Sequence, residues 1–118
     1  MKLRIDGSSV RIRVKKSEVQ RFAESGTVSE CLVFPGGRAL TFVLQAADVQ
    51  EPTVAFDGDR LHIDLPRIVA TRWATSDDVG IYARESAGLG LVVEKDFRRT
   101  SLPSPDDADR YPNPRSAR

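Results

Sequence analysis

The chain is nearly without cysteine and has no run of apolar residues long enough to cross a bilayer. Cys31 is the single thiol among 118 residues. One cysteine excludes an intrachain disulfide and an all-cysteine metal centre. The longest uncharged apolar stretches are a few residues, against the ~20 that a spanning helix needs. The opening Met1-Lys2-Leu3-Arg4-Ile5-Asp6 lacks the apolar core of a secretory signal. A charge surplus is missing too: 18 Lys and Arg stand against 17 Asp and Glu, for a net charge of +1. That balance supplies no global drive toward nucleic acid or anionic lipid, so an electrostatic partner has to be read by a local patch. There is no phosphate loop, dinucleotide glycine fingerprint, HExxH pair or nucleophile elbow. These absences predict a soluble, cytoplasmic, small single-domain protein with no catalytic motif, no metal site and no cofactor.

What is present is alternation. Leu3 and Ile5, then Val10, Ile12 and Val14, alternate with polar residues around Asp6-Gly7-Ser8-Ser9, which predicts a β-hairpin. Ser17 with Gln20 three residues on reads as a capping box, and Val19, Phe22 and Ala23 share one helical face. Gly26 is placed to close that helix in the left-handed conformation. Residues 27–34 and 38–46 read as two strands around Pro35-Gly36-Gly37.

The same order then recurs after a linker at Asp48–Pro52. Val54 and Phe56, a turn at Asp57-Gly58-Asp59, and Leu61, Ile63 and Leu65 predict a second hairpin. Pro66 fits a first helical position; a helix with Ala70, Trp73 and Ala74 follows, then strands near 79–85 and 89–97. At a constant offset of 51, nine residues of 3–45 are identical to their counterparts in 54–96: Asp6, Gly7, Ile12, Arg21, Ala23, Ser25, Val28, Gly37 and Leu40. Phe22 falls on Trp73. The expectation is an α+β fold of two pseudo-repeated ββαββ units over residues 1–97, sharing one core, with a mostly antiparallel curved sheet or barrel and two helices. Residues 98–118 hold four of the seven prolines and the acidic cluster Asp106, Asp107 and Asp109, and read as an irregular tail.

The stretch Val93-Glu94-Lys95-Asp96-Phe97, the acidic cluster and the ending Tyr111-Pro112-Asn113-Pro114 resemble a family of small bacterial domains of unknown function. The start, Leu3-Arg4-Ile5, Val10 to Val14 and Ser17-Glu18-Val19, is similar to that family as well. The resemblance implies a bacterial protein with a shared fold and supplies no activity. Members often carry a cysteine two residues after the Glu-Lys-Asp-Phe run, where this chain has Arg99, so thiol chemistry there is not carried over.

Alternation also assigns a polar strand face. Arg11 and Arg13 project together, and the offset places His62 and Asp64 at their equivalents. Glu94 and Asp96 project together from the last strand. Converged on one surface or around a tunnel mouth, these six would suit a phosphate or carboxylate, because guanidinium groups bind such anions bidentately. The plainer reading is a solvated sheet face with charges paired across strands. Cys31 reads as a small buried hydrophobe and His62 as a surface strand residue. Lacking a basic surplus with exposed aromatics, the chain does not call for nucleic acid. The function expected is a non-catalytic binding or interaction domain, with a protein partner or a second copy as its target. The alternative is a small enzyme or carrier for an anionic ligand, phosphorylated ligands included, on an Arg- and Glu-lined sheet face or tunnel. Arginines in an enclosed cavity would favour the enzyme, and arginines on an open face the binding domain.

Overall fold

The computed structural model describes residues 1–84, 88–97, 109 and 111. Eight strands and two helices follow one another: β1 (Lys2–Asp6), β2 (Ser9–Val14), α1 (Lys16–Ser25), β3 (Thr27–Val33), β4 (Ala39–Ala47), β5 (Thr53–Asp57), β6 (Arg60–Pro66), α2 (Arg67–Thr75), β7 (Gly80–Arg84) and β8 (Gly90–Lys95). The strands form four antiparallel hairpins, β1–β2, β3–β4, β5–β6 and β7–β8, with Leu3 opposite Ile12, Val28 opposite Leu44, Val54 opposite Ile63, and Ile81 opposite Val93.

The hairpins combine out of chain order. β2 pairs in parallel with β8, and β4 in parallel with β6. The result is two four-stranded mixed sheets, β1-β2-β8-β7 and β3-β4-β6-β5. The pairing is mostly antiparallel as expected, with one parallel pair at the centre of each sheet; the barrel is corrected, because the strands form two separate sheets and neither closes. The cause lies in the helices. α1 carries the chain from the first sheet to the second and α2 carries it back, so the strands flanking a helix belong to different sheets. A parallel pair needs such a long crossover, whereas hairpins need only a tight turn.

Strand alternation sends one face of each sheet into a common core. Ile12, Val14, Leu91 and Val93 come from the first sheet, and Leu44, Ile63 and Leu65 from the second. Val19, Phe22, Ala70 and Trp73 come from the helices, and all belong to one apolar cluster. Removing this surface from water is the main driving force for the fold.

Helix α1 starts differently from expectation. Its N-cap is Lys15, and the returning half of a capping box comes from Glu18, whose Oε1 accepts from the Lys15 amide at 2.9 Å. Glu18 is buried, and its Oε2 also accepts from the Met1 ammonium at 2.5 Å. Ser17 is not the cap. Its amide and hydroxyl donate to the two carboxylate oxygens of Asp109, at 2.8 and 2.7 Å. Gly26 ends the helix as expected, at φ +80° with its amide donating to the Phe22 carbonyl at 2.8 Å. Pro66 is the last residue of β6 and the N-cap of α2, so the helix begins at Arg67, one position after the expected start at Pro66. Apart from Asp109 and Tyr111, the predicted tail, with Arg99, Asp106 and Asp107, lies outside the described residues.

Candidate functional site

On the first sheet, the residues facing away from the core form three rows across the strands. One row is Lys2–Arg13–Glu94–Gly80, the next Arg4–Arg11–Val92–Tyr82, and the third Asp6–Ser9–Gly90–Arg84. They alternate with the apolar rows Leu3–Ile12–Val93–Ile81 and Ile5–Val10–Leu91–Ala83 on the core side, where Ile5 at the sheet edge stays exposed. Neighbours in a row stand ~5 Å apart and successive rows ~7 Å apart. Five cations and two carboxylates share this face. Lys2 lies opposite Arg13 and Arg4 opposite Arg11, and like charges placed directly across strands destabilise a sheet.

Only part of the charge is compensated. Glu94 Oε1 lies 3.6 Å from Arg11 Nε. Lys2 Nζ lies 3.2 Å from Oδ2 of Asp96, a carboxylate buried at the end of β8. Arg84 donates through Nη1 to the Gly88 carbonyl at 2.8 Å. Among the described residues, Arg4 and Arg13 have no ion pair or hydrogen bond through their side chains. A small cleft of about 100 Å³ is lined by Arg4, Asp6, Ser9 and Arg11.

Glu94 has a second contact. Its Oε2 accepts a hydrogen bond from the Tyr82 hydroxyl at 3.2 Å, so one carboxylate holds both an arginine and a tyrosine. Burial, and then the Glu94 charge and hydrogen bond, push the Tyr82 phenol above its ordinary pKa. Gly80 makes this geometry possible. A Cβ on Gly80 would stand 2.9 Å from the Tyr82 hydroxyl and 2.9 Å from the Val93 carbonyl oxygen. The phenol therefore leans along β7 over Gly80 while Tyr82 stays 62 % exposed.

The six residues singled out from the sequence fall into two groups. Arg11, Arg13 and Glu94 share the outer face of the first sheet, with Asp96 at its end. His62 and Asp64 lie on the outer face of the second sheet, in the rows Ala55–His62–Val43–Ser29 and Thr53–Asp64–Gln45–Thr27. There Gln45 Nε2 donates to Asp64 Oδ1 at 2.6 Å. The charge balance is also different on that face, where Arg60 stands with Asp57 and Asp64. Cys31 is exposed, correcting its reading as a buried hydrophobe, because its strand parity points it away from the core on edge strand β3.

Sequence reasoning passed over Lys2, Arg4, Tyr82 and Gly80. The first two were available from hairpin register, since they alternate with Leu3 and Ile5. Tyr82 and Gly80 had no local signal, because their role depends on β7 lying beside β8. A groove of about 280 Å³ between α1 and α2 is lined by Phe22, Ala23, Ala70 and Ala74 among others, and none of the six candidate residues borders it. Among the described residues, no helix is long and apolar enough to cross a membrane, and no three His, Cys, Asp or Glu side chains group as metal ligands.

No curated protein and no solved structure matches the chain. A family model does match, over residues 1–115, and by that match the chain belongs to DUF7009, a family of unknown function.

Proposed function

We propose that the protein is a non-catalytic binding domain that takes an anionic partner on the outer face of its first sheet. The observation that carries this reading is the pair of guanidinium groups, Arg4 and Arg13, that make no ion pair or hydrogen bond among the described residues, on a strand face beside Arg11 and Lys2. Cross-strand cation pairs weaken a sheet, and an anion laid across them removes the repulsion. The open position favours a binding surface over the alternative, a small enzyme or carrier, which would enclose its ligand and exclude water. Arg11 and Arg13 keep the ligand-binding role, with Glu94 and Asp96 as their flanking carboxylates. His62 and Asp64 belong to a separate surface. The setting is the cytoplasm of a bacterium, in line with the family resemblance of the sequence.

The test is thermal melting of the parent and of an Arg11→Ala, Arg13→Ala double variant with phosphate, sulfate, pyrophosphate and heparin. A ligand that binds only the folded state raises the midpoint with concentration. The expected result is a rise in the parent, largest for the polyanion, that is lost in the variant. Equal shifts in both proteins, or none, would refute the anion face.

A duplicated origin of the two halves is part of the same proposal. Two facts support it. β1, β2 and α1 begin at Lys2, Ser9 and Lys16, and β5, β6 and α2 begin 51 residues later at Thr53, Arg60 and Arg67. The hairpin registers also coincide at that offset, as with Lys2 opposite Arg13 and Thr53 opposite Asp64. The parallel pairs differ: the counterpart of Val10 opposite Leu91 would be Leu61 opposite Leu40, and Leu61 instead lies opposite Phe42. A slip of two residues preserves which side chains face the core.

A further inference from the structure

Resting on the anion-binding reading of the first sheet, we infer that its partner is single-stranded nucleic acid. Phosphates lie over the Lys2–Arg4–Arg11–Arg13 grid and a base stacks on Tyr82.

A polyanion alone would need only the cations. This face also carries an exposed aromatic ring in the same cross-strand row as Arg4 and Arg11. Two strand spacings separate Arg11 from Tyr82, ~10 Å, with only Val92 between them in the row. That spacing suits a phosphate at one end and its base at the other. The cations repeat along β1 and β2 every ~7 Å, of the same order as successive phosphates on an extended single strand.

The ring is also set in place. Gly80 removes the side chain that would stand beneath the phenol, and Glu94 fixes its hydroxyl, so the ring leans over the sheet. An aromatic laid on a basic strand face is a sequence-tolerant stacking platform, because every base has a π-face. Glu94 acts as a positioning residue, joining the aromatic to Arg11. An acidic peptide would be held by the same cations but would have no use for the ring. Whole-chain charge conceals this surface, since the net +1 averages a cation-rich face with one where Arg60 stands with Asp57 and Asp64.

The experiment is fluorescence anisotropy of a labelled oligo-thymidine strand with the full chain, titrated with salt, with poly-glutamate and duplex DNA as competitors. The expected result is binding whose log–log salt slope is about −3, the value for four neutralised phosphates on a single strand. Tyr82→Ala should weaken it roughly tenfold or more, and Tyr82→Phe should retain most of the affinity. Both variants sit on the solvent side of β7, and their melting curves report that they fold. Poly-glutamate and duplex should compete poorly. If Tyr82→Ala binds like the parent, or if either competitor displaces the strand at equal charge, the nucleic-acid inference falls and the polyanion face remains. If heparin, poly-glutamate and the strand all fail to bind, both readings fall.

Discussion

The ring of Phe22 on α1 meets that of Trp73 on α2 edge to face, with centroids 5.9 Å apart and planes inclined by 70°. Both side chains are at most 2 % exposed, and Trp73 Nε1 donates to the Val79 carbonyl at 3.2 Å. The contact joins the two helices over the shared core. Phe22→Ala and Trp73→Ala should each cost ~3–5 kcal/mol in denaturant unfolding. The double variant should be less destabilised than the sum by ~0.5–1.5 kcal/mol, the coupling of an aromatic pair. A loss below ~1 kcal/mol in either single variant would contradict this packing.

These two rings also mark what the sequence makes legible. Period-two alternation named the hairpins and i, i+3, i+4 spacing the helix faces, because those signals lie within ten or twenty residues. The outward pairing of Arg11 with Arg13 follows from the same alternation. Strand order across a sheet carries no local signal: nothing in Ser9–Val14 specifies Gly90–Lys95 as its neighbour. The site was therefore half visible. Arg11, Arg13 and Glu94 could be named, while their separation from His62 and Asp64 depended on which sheet each strand joins. Ser17 was misread as a cap because its hydroxyl is used by Asp109, far along the chain.

That Asp109 contact gives a prediction about the C-terminal region. Hydrogen bonds from the Ser17 hydroxyl, and then from its amide, hold the Asp109 carboxyl below its ordinary pKa of 3.8. A carboxylate depressed in the folded state contributes stability above its unfolded pKa and loses it as pH falls through the folded value. Tyr111 adds an amide hydrogen bond to the Asp96 carbonyl at 2.7 Å and a ring contact with Phe97 at 5.6 Å. Deleting residues 104–118 should therefore lower the melting midpoint. Ser17→Ala should lower it by less, and its deficit at pH 6 should shrink below pH 4. An unchanged midpoint after deletion would show that these contacts do not hold in solution.

Lys95 supplies a second pH dependence, of opposite sense. It takes an inward position at the end of β8, donates through Nζ to the Ser76 carbonyl at 2.6 Å, and lies 5.9 Å from the Trp73 ring and 5.4 Å from that of Tyr111. Burial lowers its pKa below 10.5, against the opposing pull of Asp77 and Asp78. Between the lowered folded value and 10.5 the unfolded chain binds more protons, so stability rises with pH in that window. Relative to Lys95→Met, the parent should gain stability as pH rises toward 10.5. Tyr111, whose phenol burial pushes above 10.0, works the other way, with stability falling above pH 10. Relative to Tyr111→Phe, the parent should therefore lose stability there. Midpoint differences that do not vary with pH would place both groups in water.

The topology makes the sharpest prediction. The central strands pair with each other only between halves, β2 with β8 and β4 with β6, while each half by itself holds two separate hairpins joined by a helix. A lone hairpin is marginally stable at best in water. Residues 1–50 alone would expose Ile12, Val14 and Leu44, which the second half covers in the intact chain. A fragment of residues 1–50 should therefore not be a folded monomer. Mixed with residues 51–118 it should regain strand signal as a one-to-one complex, because each fragment supplies the missing centre of both sheets. If the halves share a duplicated origin, residues 1–50 at high concentration should also self-associate in pairs, with β4 of one copy standing in for β8 against β2 of the other. Circular dichroism and sedimentation across concentration separate these cases. A folded, monomeric 1–50 fragment at micromolar concentration would overturn the exchanged-hairpin topology.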